Sequence, residues 1–244
     1  MRLRALFASL VGGLPLLAST VLAQTSPTSP SSMSDEQRKL LDLKALSDAK
    51  IVEKAFPKLS AKWPSGAIFV CWENPSPADQ LQRELVQEKI IETWQHHSAL
   101  DFFGWETCVE RSSGIRILIE DSGPHAKVLG KGLNGMKNGM VMNFTFKNWQ
   151  PACEYQTKLN ECIRFIAVHE FGHAIGFAHE QNRPDTPRPC KVKPGAGPQG
   201  PDGDRVDMTP WDPLSVMNYC NDDTSGELSK FDIQAVQQIY GRPK

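Results

Sequence analysis

The run His169-Glu170-Phe171-Gly172-His173-Ala174-Ile175-Gly176-Phe177-Ala178-His179 sets three imidazoles and one carboxylate at fixed offsets. His169 and His173 are one helical turn apart, so on an α-helix their rings project from the same face. Two neutral imidazoles so placed can hold one Zn²⁺. Glu170 follows the first histidine and cannot lie on the same line as both. It suits a general base beside the metal better than a ligand. Gly176 can take a positive φ at no steric cost, end the helix and turn the chain. The turn would return His179 as a third ligand. Three protein ligands leave a position open for water, the arrangement of a catalytic zinc site rather than a structural one. The competing reading makes the histidines ordinary packing or surface residues. A lone His-Glu-x-x-His run would leave that reading open, but the added glycine and third histidine argue against it.

On these residues the chain resembles the metzincin metallopeptidases. Glu180 and the segment Gln181-Asn182-Arg183-Pro184-Asp185 resemble the astacin branch in particular. The segment Ser215-Val216-Met217-Asn218-Tyr219 resembles a metzincin Met-turn, with the tyrosine two residues after the methionine. The resemblance is strong over 165–185 and 213–220, looser over 63–146, and absent before residue 60. It implies a zinc endopeptidase with His169, His173 and His179 as ligands and Glu170 as base. It also implies that Met217 is an apolar floor beneath the metal. The phenol of Tyr219 would be an extra ligand that swings to hydrogen-bond the oxyanion; the alternative is a buried tyrosine beside the core. Glu180 would meet the mature N-terminus, or be a lone exposed acid.

The elements that must position these groups can be read coarsely. A turn at 63–66 leads into a strand, Ala67 to Trp72. Ser76-Pro77 opens a helix with Leu81, Leu85, Ile90 and Trp94 as its apolar face. His96 and His97 close it as surface or end-capping residues. Ile115 to Glu120 and Gly139 to Phe146 read as further strands. The second of these is either an interior strand or the edge strand that, in metzincins, pairs with the substrate backbone. Asn143-Phe144-Thr145 fits an N-glycosylation acceptor. Residues 184–213 hold many glycines and prolines and form a long loop after the third ligand, a wall of the cleft. There Lys191, Lys193 and Arg205 could favour acidic side chains beyond the cut. The last helix runs from Ser229 to Tyr240, with Ser229 and Asp232 as a capping box and Ile233, Val236 and Ile239 as its core face.

At the N-terminus, Arg2 and Arg4 precede an apolar stretch ending at Val21-Leu22-Ala23, which reads as a signal peptide cleaved near Ala23. Residues 24–62 form a disordered segment or pro-segment, with 35–56 as a possible helix, and the catalytic domain spans 63–244. Six cysteines after an export signal imply disulfides. Neighbour pairing is expected: Cys71 with Cys108, Cys153 with Cys162, and Cys190 with Cys220. A net charge of −1 offers no basic patch for nucleic acid. No stretch past the signal reaches the roughly 20 apolar residues of a membrane span.

The expected molecule is therefore a secreted, extracellular or periplasmic zinc endopeptidase acting as a monomer on protein or peptide substrates. By resemblance its fold is α/β (α+β) in two lobes: a twisted mixed sheet with long helices above an irregular, disulfide-tied lower lobe. The alternatives are a matrixin-like branch, suggested by Leu228 to Gly241, and a secreted zinc-binding protein without catalysis.

Overall fold

Tryptophans and β-branched residues dictate where the sheet lies, and a computed structural model places it. It describes residues 56–193, 200–204, 208–221 and 223–244. The signal peptide and almost all of the disordered or pro-segment fall outside these residues, as does Arg205. The described residues belong to one unit, Ala49–Lys244.

The sheet has five strands: β1 (Ala67–Trp72), β2 (Asp101–Thr107), β3 (Ile115–Ile119), β4 (His125–Ala126) and β5 (Met140–Met142). Their order is β2-β1-β3-β5-β4. All neighbours are parallel except β4, which runs antiparallel to β5. The mixed α/β class and the strands at 67–72 and 115–119 match expectation. The 139–146 strand does not: only Met140–Met142 pairs, and as an interior strand. Asn143 ends it by accepting the backbone N–H groups of Thr145 and Phe146 on Oδ1 at 2.9 and 2.8 Å. The Asn143 amide also donates to Asp121 Oδ1 and Ser122 O. Buried and bonded in this way, Asn143 is no glycosylation acceptor in the folded chain. The edge on that side of the sheet is β4, whose two residues are too few to show alternation.

Parallel strands need a crossover, and α1 (Gln80–Ile90) supplies one between β1 and β2. A 3₁₀ turn, Pro77–Asp79, opens it with a Ser76–Asp79 capping box, and a π turn, Ile91–Gln95, continues it. Its buried face is Val86, Ile90 and Trp94. Leu81, expected there, is 76% exposed because it falls one turn too early to reach the sheet.

The second helix, α2 (Gln156–Ala174), carries the histidine run and packs on the sheet through Ile163, Ala167, Phe171 and Ala174. A bulge helps fix it. Val70 pairs with Gly104 and Cys71 with Glu106, so Trp105 is an extra residue in β2, at φ 64°. The bulge turns its indole onto the Phe171 ring, stacked at 5.6 Å. On the other side Trp94 donates its indole N–H to Val168 O at 2.8 Å and stacks on Phe177 at 5.6 Å.

All three disulfides are those expected. Cys71–Cys108 ties β1 to the end of β2. Cys153–Cys162 differs in detail, since Cys162 lies inside α2 and the bridge pins that helix to the 3₁₀ turn Pro151–Cys153. Cys190–Cys220 joins α3 (Arg188–Lys191), one turn of helix within the Gly/Pro-rich loop, to the segment after the Met-turn. The last helix is α4 (Lys230–Tyr240), opened by the Ser229–Asp232 capping box as expected. Its buried face includes Ala235, Val236 and Ile239, while Ile233 is only half-buried. Among the described residues no helix is long and apolar enough to cross a membrane.

Candidate metal centre

The end of α2 shapes the site. Gly176, at φ 103°, donates to His173 O, and Phe177 N–H donates to Gly172 O. These two bonds form a Schellman cap, which needs the left-handed conformation glycine adopts freely. The cap reverses the chain, so His179 comes back over the helix end. His169 Nε2 lies 3.1 Å from His179 Nε2, and His173 Nε2 lies 3.1 Å from the same atom. All three side chains are buried.

Two backbone carbonyls orient the rings. His169 Nδ1 lies 2.8 Å from Val216 O, and His173 Nδ1 lies 2.8 Å from Phe177 O. A carbonyl can only accept, so each Nδ1 carries the proton and each Nε2 presents a lone pair. Burial, and then the neighbouring His179, push the His169 imidazole down to about 3, against the raising effect of the hydrogen bond it donates to Val216 O. Burial holds His173 well below its usual value too. Neutral imidazoles with lone pairs converging cannot satisfy one another by hydrogen bonds. They fit a cation: ligands at about 2.0–2.1 Å around a tetrahedral zinc stand roughly 3.3 Å apart. Among the described residues these three histidines are the one group of this kind that could hold a metal ion.

Glu170 lies beside them, also buried. Burial pushes its carboxyl up to about 8, opposed by a hydrogen bond from the Ala126 N–H. Its Oε2 has no hydrogen-bond partner among the described residues, leaving a buried acceptor ready for a bound molecule. Ala126 belongs to the edge strand β4. Since Lys127 N–H bonds inward to Gly139 O, the alternation of an antiparallel pair turns Ala126 outward, toward the free edge.

Met217 is buried under the helix. A Cβ on Gly172 would stand 2.3 Å from its Sδ, so only glycine admits it. Asp232, at the start of α4, holds the turn above. It accepts from Ser215 Oγ at 2.7 Å and from Val216 N–H at 2.9 Å. Burial pushes its carboxyl up to about 6, opposed by its hydrogen bonds with Val216, Ser215 and Ser229.

Tyr219 is not a core residue: it is 39% exposed, and its ring centroid stands 4.4 Å from that of His179 and 5.4 Å from that of His169. Burial of its hydroxyl end, and then the Glu170 charge, raise the phenol to about 12. It stays a neutral donor. Glu180 is not an exposed acid either. It is buried, accepts from Asp212 N–H at 2.9 Å and pairs with Arg183 at 3.3 Å. His96 and His97 stack edge to face at the end of the first helix, away from the metal group. Lys191 and Lys193 donate to loop carbonyls, Pro184 O and Cys220 O.

Sequence reasoning missed four contributors: Ala126, Asp232 as the anchor of the Met-turn, and the carbonyls of Val216 and Phe177. Only Asp232 left a signal, as half of a capping box.

Residues 156–196 match the family model described as Astacin, a peptidase family. Over these residues the chain is similar to the astacins. This astacin-like chain is 28% identical over 211 residues to the zinc metalloproteinase dpy-31 of Caenorhabditis elegans. That alignment covers 81% of the chain but 31% of the relative, so the chain spans about a third of that protein's length. Among solved structures, myroilysin aligns at a TM-score of 0.55 with 20% identity, covering 78% of this chain and 100% of that one. A second myroilysin structure aligns at a TM-score of 0.50 with 21% identity, covering 80% and 96%. The structural likeness shows a shared fold, and the family match falls on the astacins rather than the matrixin-like branch.

Proposed function

We propose that this chain is a secreted zinc endopeptidase of astacin type. The observation that carries the reading is the convergence of His169, His173 and His179 Nε2 beside a buried, half-satisfied Glu170. A zinc ion held by these imidazoles would supply Lewis acidity and a water with a pKa near about 7.

The rest is done by the chain. Glu170 takes the proton of the attacking water and hands it to the leaving amine. The Tyr219 hydroxyl donates to the oxyanion as it develops. The Ala126 N–H is taken by Glu170, which leaves its C=O at the free edge of β4 to accept from an extended substrate lying as a further strand. Val216 O and Phe177 O keep the rings of His169 and His173 in the ligating tautomer. Three disulfides suit an oxidising compartment, in keeping with export. We extend the reading to Glu180: the astacin resemblance gives its carboxylate the role of meeting an amino terminus freed by processing, and its burial is in keeping with that role.

The test is hydrolysis of casein by the exported protein and its Glu170→Ala variant, with zinc content measured on both. The expected outcome is loss of turnover by at least about 10³-fold with zinc retained. Near-wild-type turnover in the variant would remove Glu170 from the mechanism. A zinc-loaded protein with no turnover, even after trimming residues 24–62, would favour a binding protein.

A further inference from the structure

Lys58, Lys127 and Lys131 line one pocket of about 350 Å³, together with Val128, Leu129 and Pro201. Each wall of this pocket is joined to a different part of the metal centre. Lys127 follows Ala126, whose N–H meets Glu170. Pro201 follows Gly200, where a Cβ would lie 3.6 Å from His179 Nδ1. Lys58 donates its backbone N–H to Gly176 O, in the turn between His173 and His179, at 2.8 Å. The pocket therefore flanks the reactive centre at one end of the free edge of β4. Among the described residues no carboxylate pairs with the three ammonium groups. Two acids stand near, Asp204, which accepts from Ser60 N–H, and Asp202, which accepts from Asn182 Nδ2, and the three lysines outnumber them.

We infer that this basic pocket selects substrates with acidic side chains on the amino-terminal side of the scissile bond. The inference rests on the peptidase reading above, since Glu170 fixes where the bond is cut. The direction follows from the strand. A peptide added antiparallel to β4, the more stable pairing, runs opposite to the order Ala126, Lys127, Val128. With its scissile carbonyl near Ala126 and Glu170, the residues beyond Val128 are those upstream of the cut. At about 3.3 Å per residue, the second to fourth upstream side chains pass the lysines. Val128 and Leu129 give the aliphatic part of such a side chain an apolar wall, and the ammonium groups take its carboxylate.

The experiment uses paired fluorogenic peptides that differ only by Asp or Asn at the second to fourth positions upstream of the cut. The full-length protein is compared with its Lys127→Ala/Lys131→Ala and Lys127→Glu/Lys131→Glu variants. Wild type should favour Asp by roughly tenfold in kcat/KM, as one or two partly exposed ion pairs allow. The ratio should fall toward one in the alanine variant, drop below one in the glutamate variant, and shrink in wild type at 1 M salt, where charges are screened within about 3 Å. Equal rates on both peptides would overturn the inference and leave the peptidase standing. So would a preference that survives the alanine variant, or one found only downstream of the cut. Binding of the same peptides to zinc-loaded Glu170→Ala, followed by fluorescence polarisation, separates the two readings. Tighter binding of the Asp peptide without turnover in wild type would keep the pocket and sink the peptidase. Absence of any binding difference would sink the pocket.

Discussion

Gly172 and Met217 fit one another as gap and filler. A Cβ at residue 172 would stand 2.3 Å from the thioether sulfur and 3.1 Å from its methyl. The residue between the metal-facing turns of α2 is therefore a glycine for a steric reason, not for flexibility. Gly172→Ala should push Met217 or the helix aside, at about 1–3 kcal/mol of stability. Zinc affinity should fall with it, because the Met-turn also carries Val216 O. Denaturant midpoints and zinc dissociation constants check this, and wild-type values for both would show that the turn can give way freely.

Asp232 acts on His169 through Val216, accepting from its N–H while its C=O accepts from the imidazole. Asp232→Ala leaves the buried Val216 N–H without an acceptor, a cost of about 1–3 kcal/mol. It also frees the carbonyl that fixes the His169 tautomer, so zinc affinity should drop about 10- to 100-fold. Competition with a calibrated chelator reads this directly. A variant that is destabilised yet binds zinc as wild type would break the link.

Tyr219→Phe keeps the ring beside His179 and removes the hydroxyl. If the phenol serves only the oxyanion, kcat should fall about 10²-fold with KM and zinc content little changed. A rise in KM at constant kcat would assign Tyr219 to substrate binding instead.

Glu73 and Arg116 form a buried ion pair at 2.9 Å behind the sheet. Burial alone would raise the Glu73 carboxyl. The hydrogen bonds of Arg116 and Asn138, with the charges of Arg116 and Lys137, outweigh it and hold the group below 4.5. A lowered folded value gives stability that is complete above the ordinary value and lost as pH falls through the folded one. Acid unfolding below about pH 4.5 should therefore weaken in Glu73→Gln, whose side chain does not titrate. Arg116→Ala should cost about 3–5 kcal/mol at neutral pH by stranding the carboxylate. Replacing both residues with methionine should recover most of that loss, and a double variant as unstable as the single would contradict this account.

The ligand set was legible because it is local. His169, His173 and His179 lie within one helix and its cap, so spacing alone brings them together. The disulfides were legible because neighbours in sequence are neighbours here. The edge strand was not, since His125 and Ala126 are too short for a periodic pattern and owe their pairing to β5. The strand expected over 139–146 failed because Asn143 offers its amide oxygen to the following backbone, which period-2 reasoning ignores. Leu81 was misplaced because a helical face read from sequence does not say where the sheet ends. The half of the Asp232 role that supports the Met-turn spans a long loop, and no local pattern records it.

The capping box at Ser229 and Asp232 has a consequence for the order in which the molecule is made. The carboxylate that steadies the Met-turn follows His179 in the chain, so it is made after all three histidines. A nascent chain stopped short of residue 229 can form α2 and its cap but lacks the brace that sets the Val216 carbonyl. The orientation of the His169 ring is then set only once Asp232 has been made, and a copy stopped earlier holds its imidazoles without their brace.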